Sequence, residues 1–280
     1  MRGMKNALIG AFQGLGLRRF RVIRFLASRR IPAYTTAFGK RLFFDRYDNV
    51  LPYEILHGYE TGSLNVVQKL VRSGDVVVDA GANIGYFTLV FSTLVGNGAV
   101  HSVEPSPVSS AVLKKNVSFN KLSNVTVHQC ALTEKEGEVT LYLNDFNHAD
   151  NRLYGKEGMK GVVVPAHPLD SFPELQTRVD FIKMDIQGSE CLALRGAKNI
   201  IAKNPSIKMM LEFWPRGLAN MGGSAEQLFD ILRGFQLYRI DDEIGTLVRT
   251  TETELNGAYT RENGLYTNIL ATRTPVDFAQ

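Results

Sequence analysis

Short apolar runs alternate with amphipathic segments along most of the chain, with the spacing of strands followed by helices. The first apolar run covers residues 76–79, and a helix-like segment covers residues 84–95. Further strand-length runs lie at 99–104, 125–130, 180–185, 207–213, 236–240 and 266–271, and further helix-like segments at 108–120, 189–202 and 225–234. This order predicts an α/β fold with a doubly wound, mostly parallel seven-stranded sheet of the Rossmann-like kind.

The segments outside this alternation predict an inserted hairpin and an N-terminal extension. Residues 138–143 and 161–165 have strand-like patterns, and we expect them to pair with each other. Residues 53–70 have the pattern of one helix. We therefore divide the chain into a partly helical N-terminal extension, residues 1–52, and a main domain, residues 53–280.

The turn between the first strand and the first helix is the most informative stretch, and it reads Asp79-Ala80-Gly81-Ala82-Asn83-Ile84-Gly85. Gly81 and Gly85 allow the backbone to turn sharply and to approach a ligand. Asn83 can donate and accept hydrogen bonds at the helix start. Glu104 ends the second strand, where its carboxylate can accept both hydroxyls of a ribose; a solvated acid at a strand end is the alternative. The whole unit predicts a nucleoside site.

The glycine spacing indicates which nucleoside this unit binds. A dinucleotide site reads G-x-G-x-x-G and places a pyrophosphate on the helix N-terminus. Here Thr88 stands three positions after Gly85, and Asp79 stands at the mouth of the strand. An acid at that place favours a cationic ligand. S-adenosylmethionine carries an ammonium and a sulfonium and no phosphate, so we predict it as the cofactor, with Asp79 orienting the turn or meeting the ammonium.

Composition and charge change this picture only at the N-terminus. The 280 residues are 44% hydrophobic and 21% charged, which is ordinary for a soluble globular protein. Cys130 and Cys191 match neither a metal spacing nor a disulfide framework, so we expect two buried thiols and no metal site. The net charge of +4 is uneven, because residues 1–44 hold ten Lys or Arg and no acid. The remaining 236 residues carry 22 basic and 28 acidic side chains.

The basic arm has two interpretations. A basic amphipathic helix can lie on an anionic membrane surface. Alternatively, the apolar residues of the arm cover the main domain while its arginines face water. The longest uncharged run of the arm, residues 6–17, is too short to cross a bilayer. We expect a cytoplasmic protein, with peripheral contact at the inner face of a membrane as the alternative role of the arm.

Charged side chains interrupt the buried strand that ends at Asp185. A strand covered on both faces rarely carries a charge unless the charge is paired. Lys183 is therefore either a site residue or the partner of Asp185 or Glu190 in a structural ion pair. Asp185 lies at the carboxyl end of its strand, where open α/β sheets place their sites, and it can take a proton from a hydroxyl. His148, in a polar loop, is the alternative base or a surface histidine without a role.

These motifs resemble the FkbM-type S-adenosylmethionine-dependent methyltransferases over residues 58–240. The matching stretches are Gly58-Tyr59-Glu60, residues 76–88, Val103-Glu104-Pro105, Ala131-Leu132-Thr133, residues 180–190 and Leu194-Arg195-Gly196-Ala197. The resemblance implies a class I methyltransferase fold, with Tyr59 and Glu60 at the methionine end of the cofactor and Ala131 against the adenine ring. The family commonly has Glu where this chain has Gln187, so no role that needs a charge there is carried over.

The resemblance also places the acceptor side at the loop that contains His148. Asn151 and Arg152 in that loop can hydrogen-bond acceptor hydroxyls. Glu212 and Trp214, at the end of a later strand, can form the floor of the acceptor pocket.

The acceptor is expected to be a hydroxyl group. Asp185-Ile186-Gln187-Gly188 stands where amine and nucleobase methylators often have an Asn/Asp-Pro-Pro-aromatic motif. We predict an O-methyltransferase acting on a sugar, a glycan (a lipid-linked one included) or a natural product. The alternatives are a nucleic-acid methyltransferase that uses the basic arm, which the acidic main domain disfavours, and a non-catalytic S-adenosylmethionine-binding protein. The glycine spacing argues against a nicotinamide dehydrogenase.

Overall fold

The computed structural model describes residues 32–45, 48, 50–144, 147–155, 158–241 and 245–276. Residues 1–31 of the extension predicted to be partly helical lie outside the described residues. The strands in chain order are β1 (Tyr34–Ala37), β2 (Lys40–Phe43), β3 (Val76–Ala80), β4 (Ala99–Val103), β5 (Val125–His128), β6 (Ala131–Leu132), β7 (Gly137–Leu143), β8 (Lys160–His167), β9 (Phe181–Met184), β10 (Lys208–Phe213), β11 (Gln236–Ile240), β12 (Leu247–Thr250) and β13 (Thr267–Thr272). The helices are α1 (Leu51–Leu56), α2 (Thr61–Leu70), α3 (Tyr86–Leu94), α4 (Pro107–Phe119), α5 (Glu190–Arg195), α6 (Lys198–Lys203), α7 (Pro215–Asn220), α8 (Ala225–Ile231) and α9 (Glu252–Ala258).

The main sheet has the strand order β12-β11-β13-β10-β9-β3-β4-β5. Strands β3, β4, β5, β9 and β10 are parallel, while β13 runs antiparallel to both β10 and β11. The doubly wound α/β prediction is confirmed, but the sheet has eight strands and not seven. The sequence pattern missed β12 because this edge strand is mostly exposed and has no apolar alternation.

The strand order sets the position of the site. The chain leaves β3 towards β4 and β5, and later returns on the other side of β3 to form β9 and β10. The connections therefore diverge between β3 and β9, and open α/β sheets bind ligands at the carboxyl ends of the strands beside such a point.

Two of the predicted helices are each divided into two. The helix predicted over residues 53–70 breaks between α1 and α2, where Gly58 has φ +98° and Glu60 has φ +42°. The helix predicted over residues 189–202 breaks between α5 and α6 at Gly196, where a Cβ would overlap the carbonyl oxygen of Thr133. Both breaks follow from backbone geometry that helix periodicity alone does not report.

A second, three-stranded sheet has the order β6-β8-β7. Strands β7 and β8 pair antiparallel from Gly137 opposite Ala166 to Leu143 opposite Lys160, which confirms the predicted hairpin. Strand β6 pairs parallel with β8 and joins the hairpin to the end of β5. The loop between β7 and β8 carries the predicted acceptor-side residues.

The described part of the N-terminal extension packs on the main domain. Leu42, Phe44 and Leu51 share a buried cluster with Ile84 and Leu89. In addition, the Asn116 side chain of α4 accepts the N–H of Phe43 at 2.7 Å and donates to its carbonyl at 3.1 Å. The described residues of the extension thus form a β-hairpin and the start of α1, and the predicted boundary at 52/53 falls inside that helix.

Candidate active site

The turn after β3 requires glycine for two different reasons. Gly81 has φ +78°, and a Cβ there would overlap the backbone carbonyl oxygen of Asp185. Gly85 has φ +96° at the start of α3, and a Cβ there would lie 2.6 Å from Leu113 Cδ1. Gly81 therefore permits the loops after β3 and β9 to touch, whereas Gly85 permits α3 to pack against α4.

Asp79 is fully buried at the end of β3. Thr88 Oγ1 donates a 2.7 Å hydrogen bond to its Oδ2, while its Oδ1 has no hydrogen-bond partner among the described residues. Burial raises the pKa of Asp79, and Lys183 and Thr88 act in the opposite direction. The Oδ1 of Asn83 also lacks a partner within the described chain. Because buried acceptors are normally hydrogen-bonded, two such oxygens at one turn suit a ligand with N–H or ammonium donors.

Glu104 follows β4 and is held by backbone groups on both sides. Its Oε2 accepts the N–H of Asn83 and its Oε1 accepts the N–H of Ser106, both at 2.8 Å. The residue is only 6% exposed, which excludes a solvated strand-end acid. Burial raises the pKa of Glu104 to about 7, although the two N–H groups lower it. Each carboxylate oxygen can accept a second hydrogen bond, so the arrangement is compatible with two ribose hydroxyls.

Lys183 is a buried cation among carboxylates. Its Nζ lies 3.7 Å from Asp185 Oδ2 and 4.7 Å from the ring centroid of Phe87. Lys183 also stands opposite Asp79 in the register of β9 and β3. Burial alone would lower the pKa of Lys183, but it is raised overall by Asp185, Glu60, Asp79 and Glu212. The predicted pairing with Asp185 is therefore present, within a wider group of acids.

Glu190, the other proposed partner of Lys183, is engaged elsewhere. Its Oε1 accepts the N–H groups of Ile186 at 3.2 Å and Gly188 at 3.3 Å. Its Oε2 has no partner among the described residues, and burial raises its pKa to about 7. Glu190 therefore fastens the turn after β9, the turn that positions Asp185.

Tyr59 and Glu60 lie between α1 and α2, beside the end of β3. The Tyr59 ring meets Tyr86 edge-on, with 5.3 Å between ring centroids, and the Tyr59 hydroxyl hydrogen-bonds to Glu60. Burial raises the pKa of Glu60 and Lys183 lowers it, while burial raises the pKa of Tyr59 well above its usual value. Tyr59 and Glu60 therefore lie near Asp185, whose charge also acts on Asp79.

One open cavity of about 690 Å³ crosses the carboxyl ends of the central strands. The predicted site residues on its wall are Tyr59, Gly81, Asn83, Glu104, Ala131, His148, Asn151 and Asp185. A smaller adjoining pocket is lined by Asp79 and Lys183 together with Tyr59, Gly81 and Asn83. Gly85, Glu60, Arg152, Glu212 and Trp214 are not on the cavity wall. Cys130 lines the cavity as a buried thiol, and Cys191 is buried as well, as predicted.

Gln187 connects Asp185, which follows β9, to Glu212 of β10. Its Nε2 donates to Asp185 Oδ1 at 3.0 Å and to Glu212 Oε2 at 3.5 Å. Burial raises the pKa of Glu212 well above its usual value, and Asp185 and Glu190 raise it further while Lys183 lowers it. A neutral amide at position 187 therefore supplies donors where a Glu would add another carboxylate.

The loop between β7 and β8 places His148 and Asn151 on the cavity wall. His148 Nδ1 lies 2.6 Å from Asp45 Oδ2, and the backbone N–H of His148 donates to Asp48 Oδ2 at 3.2 Å. Asn151 Oδ1 accepts the N–H of Asn144 at 2.9 Å. His148 is therefore a tethered side chain of the cavity and not an exposed surface histidine.

Arg152 and Trp214, which do not line the cavity, contact each other. The Arg152 guanidinium lies 4.8 Å from the Trp214 ring centroid and 5.4 Å from that of Tyr154, and it is also paired with Asp150. Trp214 Nε1 donates to the carbonyl of Gly264 at 3.2 Å. The structure therefore joins these two predicted acceptor residues to one another.

Asp45 and Asp48 are the residues that sequence reasoning missed. They are 5% and 1% exposed, and both contact His148 across about a hundred residues of chain. No motif marks them, because they lie in a segment that we assigned to the extension. Their one sequence signal is that Asp45 is the first acid of the chain.

The residues present fit S-adenosylmethionine. Glu104 offers two acceptors for the ribose, the Oδ1 atoms of Asp79 and Asn83 offer buried acceptors for the ammonium, and Ala131 offers an apolar wall for the adenine. A mostly parallel sheet with the antiparallel strand β13 between β10 and β11, and with this cavity at the point of divergence, defines the class: a Rossmann-like methyltransferase dependent on S-adenosylmethionine.

Comparison with known proteins identifies the family. The model of the methyltransferase FkbM domain matches residues 79–237, which is more than half of the chain. The chain belongs to the FkbM methyltransferase family, and its cofactor is S-adenosylmethionine, as predicted.

Three relatives show the range of similar proteins. "Methyltransferase 1" of Beauveria bassiana is 27% identical over 43% of this chain and 57% of its own length. "31-O-demethyl-FK506 methyltransferase FkbM" of Streptomyces tacrolimicus is 44% identical over 24% of this chain and 25% of its own length. "tRNA wybutosine-synthesizing protein 2 homolog" of Danio rerio is 34% identical over 41% of this chain and 30% of its own length. The chain therefore spans less than two thirds of each of these relatives.

Two solved structures are similar at low identity. TYW2 from M. jannaschii in complex with AdoMet has a TM-score of 0.47 at 12% identity, covering 85% of this chain and 84% of that one. A SAM-dependent methyltransferase from Aquifex aeolicus has a TM-score of 0.44 at 16% identity, covering 75% of this chain and 88% of that one.

Within the described residues, no helix has the length and apolar character to cross a bilayer, and no three His, Cys, Asp or Glu side chains are grouped to share a metal ion.

Proposed function

We propose that the protein transfers a methyl group from S-adenosylmethionine to a hydroxyl of a sugar, a glycan or a natural product. One observation carries the proposal: a single cavity is lined by the predicted ribose ligand Glu104 and by two side chains that can take a proton, Asp185 and His148. Cofactor and acceptor can therefore meet at groups suited to methyl transfer from sulfur to oxygen.

The residues supply alignment and proton transfer. Bound S-adenosylmethionine supplies an electrophilic methyl group on its sulfonium. Glu104 accepts the ribose hydroxyls, and Asp79 and Asn83 accept from the ammonium. On the other side, the side-chain amides of Asn151 and Gln187 hydrogen-bond the acceptor. Holding two reactants in line removes much of the entropic cost of their reaction, and a placed base removes the hydroxyl proton.

The contacts favour His148 over Asp185 as the base. Asp185 Oδ2 faces the Lys183 cation and its Oδ1 accepts from Gln187, whereas His148 is held at Nδ1 by Asp45 with its ring on the cavity wall. Asp185 then orients the reactants, and it remains the alternative base. Parallel substitution of these two residues decides between them, as described below.

A hydroxyl acceptor is supported by two features. The name of the Streptomyces relative describes methylation at an oxygen of that protein's substrate. The turn after β9 reads Asp185-Ile186-Gln187-Gly188 and so lacks the Pro-Pro-aromatic sequence of many amine and nucleobase methylators.

The experiment is a binding titration followed by an acceptor panel. Calorimetry with S-adenosylmethionine should show binding, whereas NAD should give no heat above dilution. The purified 280-residue chain is then incubated with S-adenosylmethionine and monosaccharides, glycans, lipid-linked glycans or macrolide alcohols. A methyl ether formed by the wild type, and formed more slowly by His148→Ala or by Asp185→Asn, supports the proposal. Absence of methyl ethers across the panel, with methylation of an amine or of RNA, contradicts it.

An RNA substrate is the second candidate, because the Danio rerio relative is named for tRNA wybutosine synthesis. The basic arm could then contact phosphates, which gives an affinity that falls steeply with salt. Transfer of label from S-adenosylmethionine to bulk tRNA, together with such a salt slope, would replace the hydroxyl proposal with this one.

The arm itself has a separate test that bears on a lipid-linked acceptor. Sedimentation of the full chain and of a chain lacking residues 1–31 is compared on anionic liposomes at low and high salt. Salt-sensitive binding that requires residues 1–31 supports a peripheral membrane role at the inner face of a membrane. Equal sedimentation of both proteins contradicts that role.

A further inference from the structure

The segment between β2 and α1 supplies a carboxylate that contacts His148, a residue of the cavity wall. Asp45 Oδ2 lies 2.6 Å from His148 Nδ1, and Asp45 is 5% exposed. A carboxylate is an acceptor in such a contact, so the hydrogen between them belongs to Nδ1 of the imidazole. A distance this short is typical of hydrogen bonds to an ionised group. The pair therefore fixes both the tautomer and the orientation of His148.

A histidine held in this way is prepared to accept a proton. When Nδ1 carries the hydrogen, Nε2 is the basic nitrogen of the ring. A carboxylate behind Nδ1 also stabilises the imidazolium that forms when Nε2 takes a proton, which is the logic of a base oriented by a third group. His148 lines the cavity that Glu104 and Asp185 also line, so its proton transfer belongs to the same site.

We propose that Asp45 is the positioning residue of an Asp45–His148 dyad, and this rests on the proposed methyl transfer to a hydroxyl. The acceptor oxygen forms a bond to the methyl carbon, and the carbon–sulfur bond breaks with its electron pair left on sulfur. The hydroxyl proton passes to Nε2 of His148, whose Nδ1–H stays on Asp45. Buffer removes the proton from the imidazolium once the product leaves.

A variant of Asp48 tests the anchoring of the His148 loop separately from the positioning of the imidazole ring. Asp48 accepts the backbone N–H of His148 through Oδ2, and through Oδ1 it accepts the N–H groups of Val50 and Leu51 at the start of α1. These bonds tie the same loop to the same segment without touching the ring. Asp48→Asn is therefore a matched control for Asp45→Asn.

The tautomer is measured directly by long-range 1H–15N NMR on the full chain labelled at its five histidines. The His148 signals are assigned by their loss in His148→Ala, and spectra are taken at a pH where the ring is neutral. Wild type and Asp48→Asn should show hydrogen on Nδ1. Asp45→Asn should lose that preference, because an amide can donate to Nδ1, and Asp45→Glu should retain it. An unchanged tautomer in Asp45→Asn overturns the proposal.

Turnover supplies the second readout, with the first panel alcohol that forms a methyl ether as the acceptor. Asp45→Asn should lower kcat by about 10²-fold, the scale of a disabled general base, with S-adenosylmethionine affinity within about threefold of wild type. Asp45→Asn combined with His148→Ala should be no slower than His148→Ala alone. An equal loss in Asp48→Asn, or additive losses in the double variant, overturns the positioning role. If no panel alcohol reacts, the proposed function fails, while the spectra still decide whether Asp45 sets the tautomer.

Discussion

The two halves of the cavity are built in different ways. The cofactor half comprises Asp79, Gly81, Asn83 and Glu104, which all belong to one βαβ unit of the chain. The proposed acceptor half comprises His148, Asn151, Asp185 and Gln187, with Asp45 behind His148, and these residues come from three separate segments. Glu104 is fixed by two backbone N–H groups, whereas His148 is fixed by a side chain 103 residues away.

Because of this difference, the cofactor half is constrained by the fold, whereas the acceptor half can vary with its loops. Backbone groups at strand ends are set by the fold itself, so the cofactor half is determined once the sheet forms. The acceptor half lies on loops and depends on side-chain contacts between them, and loops carry variation that a scaffold tolerates. We infer that acceptor identity is decided by the loop between β7 and β8, the segment around Asp45 and the turn after β9.

The largest expected effect is on the chemical step. His148→Ala should lower kcat by about 10²-fold or more, the usual scale for a lost general base, while S-adenosylmethionine affinity stays within a few-fold. Asp185→Asn should have a smaller effect on kcat if Asp185 orients the reactants. Single-turnover rates with the active panel alcohol measure both. Normal turnover in His148→Ala with slow turnover in Asp185→Asn would make Asp185 the base.

The next effect is confined to the cofactor half. Glu104→Ala should weaken S-adenosylmethionine binding by about tenfold or more, because charge-assisted hydrogen bonds are worth about 1.5–3 kcal/mol. Glu138→Ala, at an exposed acid of β7, is the control. Calorimetric titration of both variants, with thermal unfolding to check the fold, measures this. Unchanged affinity in Glu104→Ala would remove the ribose assignment.

The pH dependence of cofactor binding follows from Glu104. Its raised pKa, about 7 in the cofactor-free protein, means that the group is partly protonated below that pH. Ribose hydroxyls donate to the ionised form, so affinity should rise with pH up to about 7, by at most about tenfold per pH unit, and then level off. Because the folded pKa lies above the unfolded one, this group should also make the cofactor-free protein less stable as pH rises from about 4.5 to 7. Glu104→Gln should flatten both curves, and an unaltered slope in that variant would assign the titration to another group.

The smallest expected effect is at the contact between Arg152 and Trp214. Arg152→Ala removes a cation–π contact with Trp214, worth about 0.5–1 kcal/mol at a partly exposed site, together with the ion pair to Asp150. Acceptor KM should therefore rise about two- to fivefold, with kcat and cofactor affinity unchanged. Arg178→Ala, at an exposed arginine that pairs with Asp180 and Asp75, is the control. A loss of cofactor affinity in Arg152→Ala would place this residue in the cofactor half instead.

The cofactor half could be predicted from the sequence because its signals are local. The glycines, Asp79 and Glu104 stand at fixed spacings around predicted strands, and apolar runs identify the buried strands of the sheet. The breaks at Glu60 and Gly196 could not be predicted, since they depend on backbone conformation and close approach. The contact between Asp45 and His148 could not be predicted either, because only the folded chain brings those segments together.

The atom that receives the methyl group tests most directly the assignment of one half of the cavity to a hydroxyl acceptor. The full chain is given S-adenosylmethionine labelled with 13C in its methyl group and each active panel alcohol, and the product is examined by 1H–13C NMR. We expect a methoxy carbon coupled through oxygen to a carbon-bound proton of the acceptor, formed by wild type and lost in His148→Ala. Label on a nitrogen, on a carbon or in tRNA would contradict the assignment of the acceptor half to a hydroxyl.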